Sequence, residues 1–283
     1  MGKDLTKYAF FDGSQIKFKA FGVKIGIRAE RKSYLEQISR RLLTVFPNGL
    51  EDVNEREIEF HFYIKSKQKG VYELLRNDEK LTDGAEKQKF FDSVESMIRV
   101  TVAEFAVGKV FLHAGVVGWK GRAIIIPARS FAGKTTLVAE LVKRGAAYYS
   151  DEYAVLDDKG DVEPFPKWLS MRGIIDPWRQ LDCSVESLGG TAGNETIPIG
   201  LILISRFDKQ KKNPQRWKPR KLSRGEGIME ILPHTLPITN NPEFVLEVLN
   251  KLTSRAIIVK TIRGEAAQFA ETLLKYFDLH CKG

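Results

Sequence analysis

One stretch of eight residues combines glycine, lysine and threonine in an order suited to binding phosphate. It reads Ala128-Arg129-Ser130-Phe131-Ala132-Gly133-Lys134-Thr135, and Thr136 follows it. An apolar run precedes this stretch, and a run of helical composition follows it and ends at Gly145. In such a strand-loop-helix unit, backbone N–H groups and the helix N-terminus hold phosphates, a lysine adds charge and a hydroxyl reaches magnesium. We therefore predict that residues 128–136 bind a nucleoside triphosphate.

Ala128 departs from the usual loop, which has glycine at its first position. Alanine needs a negative φ, which a turn can supply, whereas Gly133 lies where the backbone must approach phosphate closely. We expect the loop to bind phosphate despite this replacement.

The elements around the loop predict an α/β unit over residues 108–283. Two apolar segments, 111–117 and 122–126, flank Gly118-Trp119-Lys120-Gly121 and predict a hairpin that leads into the loop. Residues 197–204 and 256–259 read as buried strands, and residues 243–253 and 266–277 as helices. Helices packed on a sheet are the expected result.

Residues 1–107 are predicted to form a separate, smaller α+β unit. Two strands broken near Gly22, a helix over residues 34–46, a half-buried strand over 58–64 and a helix over about 85–105 follow from the apolar spacing. His61 falls on the polar face of its strand, so we expect it at the surface. No pattern in this unit indicates chemistry.

Five ordered segments of the second unit resemble HPr kinase/phosphorylase and its wider family of bacterial HPr-kinase-like phosphotransferases. They are His113-Ala114-Gly115, the loop at 128–135, Lys143-Arg144-Gly145, Ser150-Asp151-Glu152 and Met171-Arg172-Gly173-Ile174-Ile175-Asp176. The resemblance covers roughly residues 110–180. It implies a P-loop domain whose nucleotide core is shared with phosphoenolpyruvate carboxykinase.

The resemblance also implies roles in transfer of the γ-phosphate of ATP. Lys134 would hold the β- and γ-phosphates, Asp151 would act as base, and Thr135 and Glu152 would hold Mg²⁺. Because adjacent carboxylates near magnesium titrate as a pair, the two carboxylate roles could be exchanged. His113 would orient the base or stabilise charge, and Arg172 would contact phosphate or acceptor. A purely structural role is the alternative for both His113 and Arg172.

Three departures separate the chain from HPr kinases themselves. Leu169-Ser170-Met171 replaces the segment with a glutamate before Arg-Gly, Asp-Glu replaces Asp-Asp, and residues 236–242 lack the proline- and arginine-rich loop linked to phosphorolysis. The resemblance therefore implies a divergent kinase, and its missing loop argues against the reverse activity. Because some relatives of this divergent kind phosphorylate a serine of a precursor peptide, a peptide or small-protein acceptor is expected.

The formal charge of +9 is concentrated in one basic segment, residues 206–224. Its cations are Arg206, Lys209, Lys211, Lys212, Arg216, Lys218, Arg220, Lys221 and Arg224, against the single carboxylate Asp208. Prolines and the lack of apolar periodicity predict a loop. Acidic peptide, nucleic acid or phosphate would be attracted to it, with Trp217 as an anchor. The alternative is a solvated loop without a partner.

Composition favours a cytoplasmic protein without a membrane partner. No apolar run approaches the ~18 residues of a membrane span, and the N-terminus has no apolar signal core. The two cysteines, Cys183 and Cys281, have no metal-ligand spacing. His234 and His280 fall near element ends and are expected at the surface. Homo-oligomerisation stays open.

Together these features predict an ATP- and Mg²⁺-dependent kinase that phosphorylates a serine of a peptide or small protein docked on the basic segment. One alternative is a kinase for a small hydroxyl metabolite. Another is a nucleotide-gated binding module that holds nucleic acid on the basic segment, which would make its affinity strongly salt-dependent.

Overall fold

The computed structural model describes residues 14–46, 50–67, 70–129, 132–172, 180–211 and 217–281, with the backbone alone at 170–172 and 180–182. The chain is a mixed α/β protein with six α-helices among these residues. It divides into two compact units, Met1–Val107 and Gly108–Gly283. Within the described ranges, no helix has both the length and the apolar character needed to cross a bilayer.

The described residues of the first unit form a five-stranded sheet and two α-helices. In chain order its elements are β1 (Ile16–Ala20), β2 (Val23–Ala29), α1 (Lys32–Val45), β3 (Phe60–Ser66), β4 (Tyr72–Arg76), β5 (Glu79–Gly84) and α2 (Lys87–Phe105). The sheet order is β1-β2-β3-β4-β5, with β2 and β3 parallel and the other pairs antiparallel. His61 is exposed, as predicted, because Phe62 and Ile64 take the buried side of β3.

The second unit is built on an eight-stranded sheet. Its elements are β6 (Val110–Trp119), β7 (Arg122–Pro127), α3 (Lys134–Val142), β8 (Ala147–Ser150), β9 (Tyr153–Leu156), β10 (Val162–Glu163), β11 (Leu169–Arg172), β12 (Gln180–Cys183), β13 (Ile199–Phe207), β14 (Arg220–Lys221), α4 (Arg224–Ile231), α5 (Pro242–Arg255), β15 (Ile257–Arg263) and α6 (Ala266–His280). The sheet order is β10-β9-β6-β7-β13-β15-β14, and β8 also pairs with β6. Strands β11 and β12 form a separate two-stranded ribbon.

The predicted hairpin is present, and the loop strand lies at the centre of the sheet. Strands β6 and β7 are antiparallel and turn at Lys120 and Gly121. Strand β7 is parallel to β13, which is parallel to β15. Parallel neighbours end at the same edge, so the segments that follow β7, β13 and β15 meet there.

Helices cover both faces of the central sheet because its strands are apolar on both sides. Leu201 and Leu203 of β13 pack in one core with α3 and α6. Ile202, between them, packs on the opposite face with α4 and α5. From Leu201 onward, where the pairing with β15 is continuous, this alternation assigns the odd-numbered residues of β13 to the face that carries α3.

The basic segment is not the continuous loop that the sequence predicted. Arg206 belongs to β13, Arg220 and Lys221 form β14, and α4 begins at Arg224 after the capping residue Ser223. Strand β14 pairs with β15 at the sheet edge. Both of its residues are exposed, so the strand shows no apolar alternation, and charged residues are common on such edges. Residues 212–216 lie outside the described chain.

Trp217 packs against the core at the end of the basic segment. The sequence had predicted that this residue lies at the surface and anchors a partner, and the structure corrects that expectation. Its indole ring packs edge-on against Phe269 at 5.1 Å and Tyr276 at 4.9 Å, both on α6. The indole N–H donates to Thr261 Oγ1 at 3.1 Å. The ring is therefore occupied by intramolecular packing.

We expect Trp217→Ala to lower the free energy of unfolding of the second unit by about 3 kcal/mol, the low end for loss of a core tryptophan, since the ring is partly buried. Chemical denaturation followed by circular dichroism measures the change. Trp168→Ala, which removes an exposed tryptophan, is the matched control and should change stability far less. Equal effects of the two substitutions would contradict the anchoring role.

Candidate active site

Helix α3 begins at the end of the predicted phosphate loop. Gly133 is the N-cap of α3 and has φ +74°, a conformation that favours glycine. Among the described residues no side chain caps this helix, and its first turn contains no acidic residue. The first backbone N–H groups and the helix dipole therefore favour an anion. Ala128 is buried and is not among the described residues with positive φ, as expected for alanine.

Lys134 reaches the site across a gap left by Gly115 of β6. A Cβ atom at Gly115 would lie 3.0 Å from Lys134 Cγ and 2.6 Å from Val138 Cγ2, so any side chain there would force these side chains of α3 to move. Lys134 is buried, and its Nζ donates to the Ala128 carbonyl oxygen at 3.4 Å. The glycine of the His-Ala-Gly segment thus makes room for the loop lysine.

Thr135 and Asp151 are in direct contact. The Thr135 hydroxyl donates to Asp151 Oδ2 at 3.0 Å, and Asp151 is only 2 % exposed. Val116 pairs with Ser150 and His113 with Tyr153, so continuation of that register puts Asp151 opposite Gly115. The carboxylate is therefore buried beside the N-terminus of α3, and it does not lie in an exposed turn.

A register shift in β8 brings a tyrosine to the same carboxylate. The pairing of β6 with β8 moves from Val116–Ser150 to Val117–Tyr148, which leaves Tyr149 as an extra residue. In a regular strand, Tyr148 and Asp151 would face opposite sides of the sheet. The bulge puts both on the α3 side, and for that reason the sequence did not predict Tyr148 as a site residue.

Tyr148 and Lys167 fix the second oxygen of Asp151. The Tyr148 hydroxyl lies 3.0 Å from Asp151 Oδ1 and 2.8 Å from the Lys167 carbonyl oxygen. Lys167 Nζ lies 3.9 Å from the same Oδ1 and donates to the Trp168 carbonyl oxygen at 3.0 Å. Burial, followed by the charge of Asp151, raises the pKa of Tyr148 well above its usual value, so the hydroxyl keeps its proton. Lys167 carried no motif that could have identified it.

The other expected residues lie at different distances from this contact. Glu152 is half-buried and follows Asp151 directly. His113 is half-buried on the same face of β6 as Gly115, with its ring 6.2 Å from that of Tyr153. Arg129 and Thr136 are exposed at the two ends of the loop. Ser130, Phe131 and the Arg172 side chain lie outside the part of the chain that the structure describes.

Arg263, which the sequence did not predict, holds the loop from the opposite side. It ends β15 and is 2 % exposed. Its Nη2 donates to the carbonyl oxygens of Ala132 at 3.3 Å and Gly133 at 2.9 Å, and its Nη1 donates to that of Gly264 at 3.2 Å. All these acceptors are neutral, and Nε is buried without a partner among the described residues. Burial lowers the pKa of this guanidinium, which nonetheless stays charged.

His234 also lies nearer the loop than the sequence predicted. It ends the short 3₁₀ turn that follows α4, and the next residue, Thr235, bridges to Leu112 of β6. Burial is the main cause that lowers the pKa of His234, and the charges of Lys134 and Arg129 lower it further, against Glu230. This histidine is therefore half-buried within the electrostatic field of the loop cations, a correction to its expected surface position.

The donor set at Thr135 and Asp151 fits a magnesium ion, although the described residues contain no group of three or more His, Cys, Asp or Glu side chains that could hold a metal. Magnesium takes hard oxygen ligands and is commonly held by one or two protein groups, with water and phosphate oxygens completing the octahedron. A hydroxyl and a carboxylate at the end of a phosphate loop match that requirement.

We expect Arg263→Met to weaken binding of magnesium and a non-hydrolysable ATP analogue about tenfold, because charged hydrogen bonds of about 1.5–3 kcal/mol would no longer fix the loop carbonyls. Titration calorimetry measures the affinity. Arg206→Met, which removes an exposed arginine of β13, is the matched control. Unchanged affinity in Arg263→Met would show that the loop keeps its shape unaided.

The lowered pKa of His234 predicts how the stability of the protein depends on pH. Because its pKa in the folded protein lies below 6.5, the unfolded chain takes up a proton first as the pH falls through about 6.5. Folding stability should therefore decrease below that pH, and His234→Gln should flatten the decrease. Denaturation midpoints between pH 7.5 and 5 test this, with His61→Gln as control. An identical slope in wild type and His234→Gln would refute the assignment.

No protein-family model matches the chain, and no curated protein matches it.

Proposed function

We propose that the protein is an ATP- and Mg²⁺-dependent kinase that transfers the γ-phosphate to a serine hydroxyl of a peptide or small protein. We propose further that residues 108–283 have the P-loop fold of the HPr kinases. The observation that carries the proposal is the 3.0 Å hydrogen bond from Thr135 to buried Asp151 at the uncapped start of α3. This contact brings two oxygen atoms that suit magnesium next to a helix N-terminus that favours an anion.

The phosphates would lie on the N-terminus of α3, where helix N–H groups and Lys134 converge. Lys134 reaches this point through the space over Gly115, so its charge would approach the β- and γ-phosphates. Magnesium, when bound, neutralises phosphate charge that develops during transfer. Thr135 and Asp151 are the residues that would hold it.

The contact between Thr135 and Asp151 favours one of the two carboxylate assignments. Asp151 would then hold magnesium and Glu152 would act as the base. These are the reverse of the roles expected from the resemblance, an exchange that adjacent carboxylates allow. Tyr148 and Lys167 support this choice, because they fix the remaining oxygen of Asp151 and so orient the carboxylate. Glu152 is less buried and is closer to solvent, where an acceptor enters.

The transfer itself makes one bond and breaks one. The serine oxygen forms a bond to the γ-phosphorus, the bond from that phosphorus to the bridging oxygen breaks, and ADP leaves with the electron pair. The hydroxyl proton passes to the carboxylate base. Positively charged groups, Lys134 foremost, stabilise the charge on the transferred group.

The basic segment supports a peptide or protein acceptor. Lys209, Lys211, Lys218 and Lys221 are exposed, and they are spread over both described parts of the segment. Arg220, by contrast, is paired with Glu226. An exposed cationic surface attracts an acidic partner and speeds its association. Both cysteines are free thiols, in keeping with the proposed cytoplasmic location.

Labelled phosphate transfer from γ-labelled ATP to serine-containing peptides and cytosolic extract tests the proposal. Glu152→Gln should lower transfer at least a hundredfold, as loss of a base does, while magnesium-dependent nucleotide binding persists. Asp151→Asn should lower transfer and also abolish the magnesium dependence of binding. Asp158→Asn, at an exposed turn, is the matched control.

Other outcomes would identify the competing functions. Tight nucleotide binding without transfer, together with salt-sensitive binding to DNA or RNA, would establish a nucleotide-gated module. Transfer to a free hydroxyl compound, unaffected by neutralising Lys209, Lys211, Lys218 and Lys221, would establish a metabolite kinase.

A further inference from the structure

Phe207 is an exposed aromatic ring at the edge of the sheet where the phosphate loop lies. It ends β13, pairs in register with Arg263 of β15 and is 40 % exposed. The Arg263 guanidinium lies 5.4 Å from the ring centroid. The same guanidinium donates to the carbonyl oxygens of Ala132 and Gly133, so a single side chain links the ring to the loop.

The ring is on the face of the sheet that carries the loop helix. Leu201 and Leu203 pack beneath α3 and α6, and Phe207 has the same parity along β13. Ile262 of β15 is also exposed, but it has the parity of Ile258, which packs on the opposite face. Of these two exposed apolar residues, Phe207 alone lies on the side from which a ligand of the loop would approach it.

The backbone after Phe207 is fixed by hydrogen bonds. Asp208 N–H donates to the Arg263 carbonyl oxygen at 2.9 Å, Lys211 N–H donates to the Asp208 carbonyl oxygen at 3.0 Å, and Gln210 N–H donates to Asp208 Oδ1 at 3.0 Å. A ring on the end of a central strand, followed by a hydrogen-bonded turn, loses little freedom when it receives a ligand.

The two sides of the loop differ in chemistry. Asp151, Tyr148 and Lys167 lie on the side of β6, where β8 and β9 pair. The phosphoryl group that reacts would face that side. A nucleoside that extends away from that side would lie over the ends of β13 and β15, where Phe207 pairs with Arg263.

We propose that the Phe207 ring is the platform on which the nucleobase of the bound nucleoside triphosphate stacks. The inference rests on the proposed function, since it takes the loop to hold a triphosphate. Arg263 acts on both parts of the ligand: its guanidinium supports the ring from one face and holds the loop that binds the phosphates. The free face of the ring is then available to a purine.

Two ligands that share their phosphates and differ in the base test this platform. Affinities for a magnesium-bound, non-hydrolysable ATP analogue and for magnesium-bound inorganic tripolyphosphate are measured by calorimetry on the full chain. Phe207→Ala should weaken the analogue about tenfold, as expected from a base stack of about 1–3 kcal/mol, and leave tripolyphosphate unchanged. Phe207→Trp should retain affinity for the analogue, whereas Phe207→Leu should weaken it about as much as Phe207→Ala does.

Ile262→Ala is the matched control, because it removes an exposed apolar side chain of the neighbouring strand on the other face. Equal affinity of wild type and Phe207→Ala for the analogue would overturn the platform. So would a parallel loss of both ligands, which would mean that the ring supports only the loop. If wild type binds neither ligand, the proposed function itself fails.

Discussion

The close approach of α3 to β6 is the constraint on which the site depends. Gly115 has no side chain, and a Cβ atom there would come within 2.6 Å of Val138 and 3.0 Å of Lys134. Protein interiors cannot absorb such an overlap without movement. The register of β6 puts Asp151 opposite this glycine. One missing side chain thus sets the distance between the helix start, its lysine and threonine, and the buried carboxylate.

The electrostatic balance of the buried groups follows from that packing. In the described part of the second unit, Lys134, Lys167 and Arg263 are buried cations, and the buried carboxylate Asp151 lies 3.9 Å from Lys167 Nζ. Burial of charge is unfavourable, and a bound anion offsets an excess of buried cations. The excess of positive charge and the uncapped helix start therefore favour the same ligand, a phosphate group.

Much of the architecture was predictable because it depends on local patterns. The hairpin before the loop, helix α3 and the two C-terminal helices α5 and α6 follow from apolar spacing and glycine positions, and the structure confirms them. The short edge strands β5 and β14 did not show this periodicity, because strands with exposed faces need few apolar residues. Loop residues 128–136 were predicted as a phosphate site from a motif, which depends only on consecutive positions.

The contacts around the site depend on long-range pairing, which a sequence does not display. Tyr148 reaches Asp151 only through the bulge at Tyr149, and Arg263 reaches the loop from a strand about 130 residues away in the chain. Trp217 looked like an exposed anchor among cations, yet α6 provides the aromatic surface that covers it. His234 gained its position near Lys134 from the bridge between Thr235 and Leu112.

The burial of Arg263 connects ligand binding with the resistance of the protein to proteolysis. The Arg263 guanidinium is buried against neutral carbonyl oxygens, which costs stability, and a ligand that binds only the folded state would offset that cost by mass action. Proteases act on transiently opened chains, so their access falls as occupancy rises. If that ligand is the proposed nucleoside triphosphate, the concentration of the nucleotide in the cell would set how fast the protein is degraded, without a dedicated regulator.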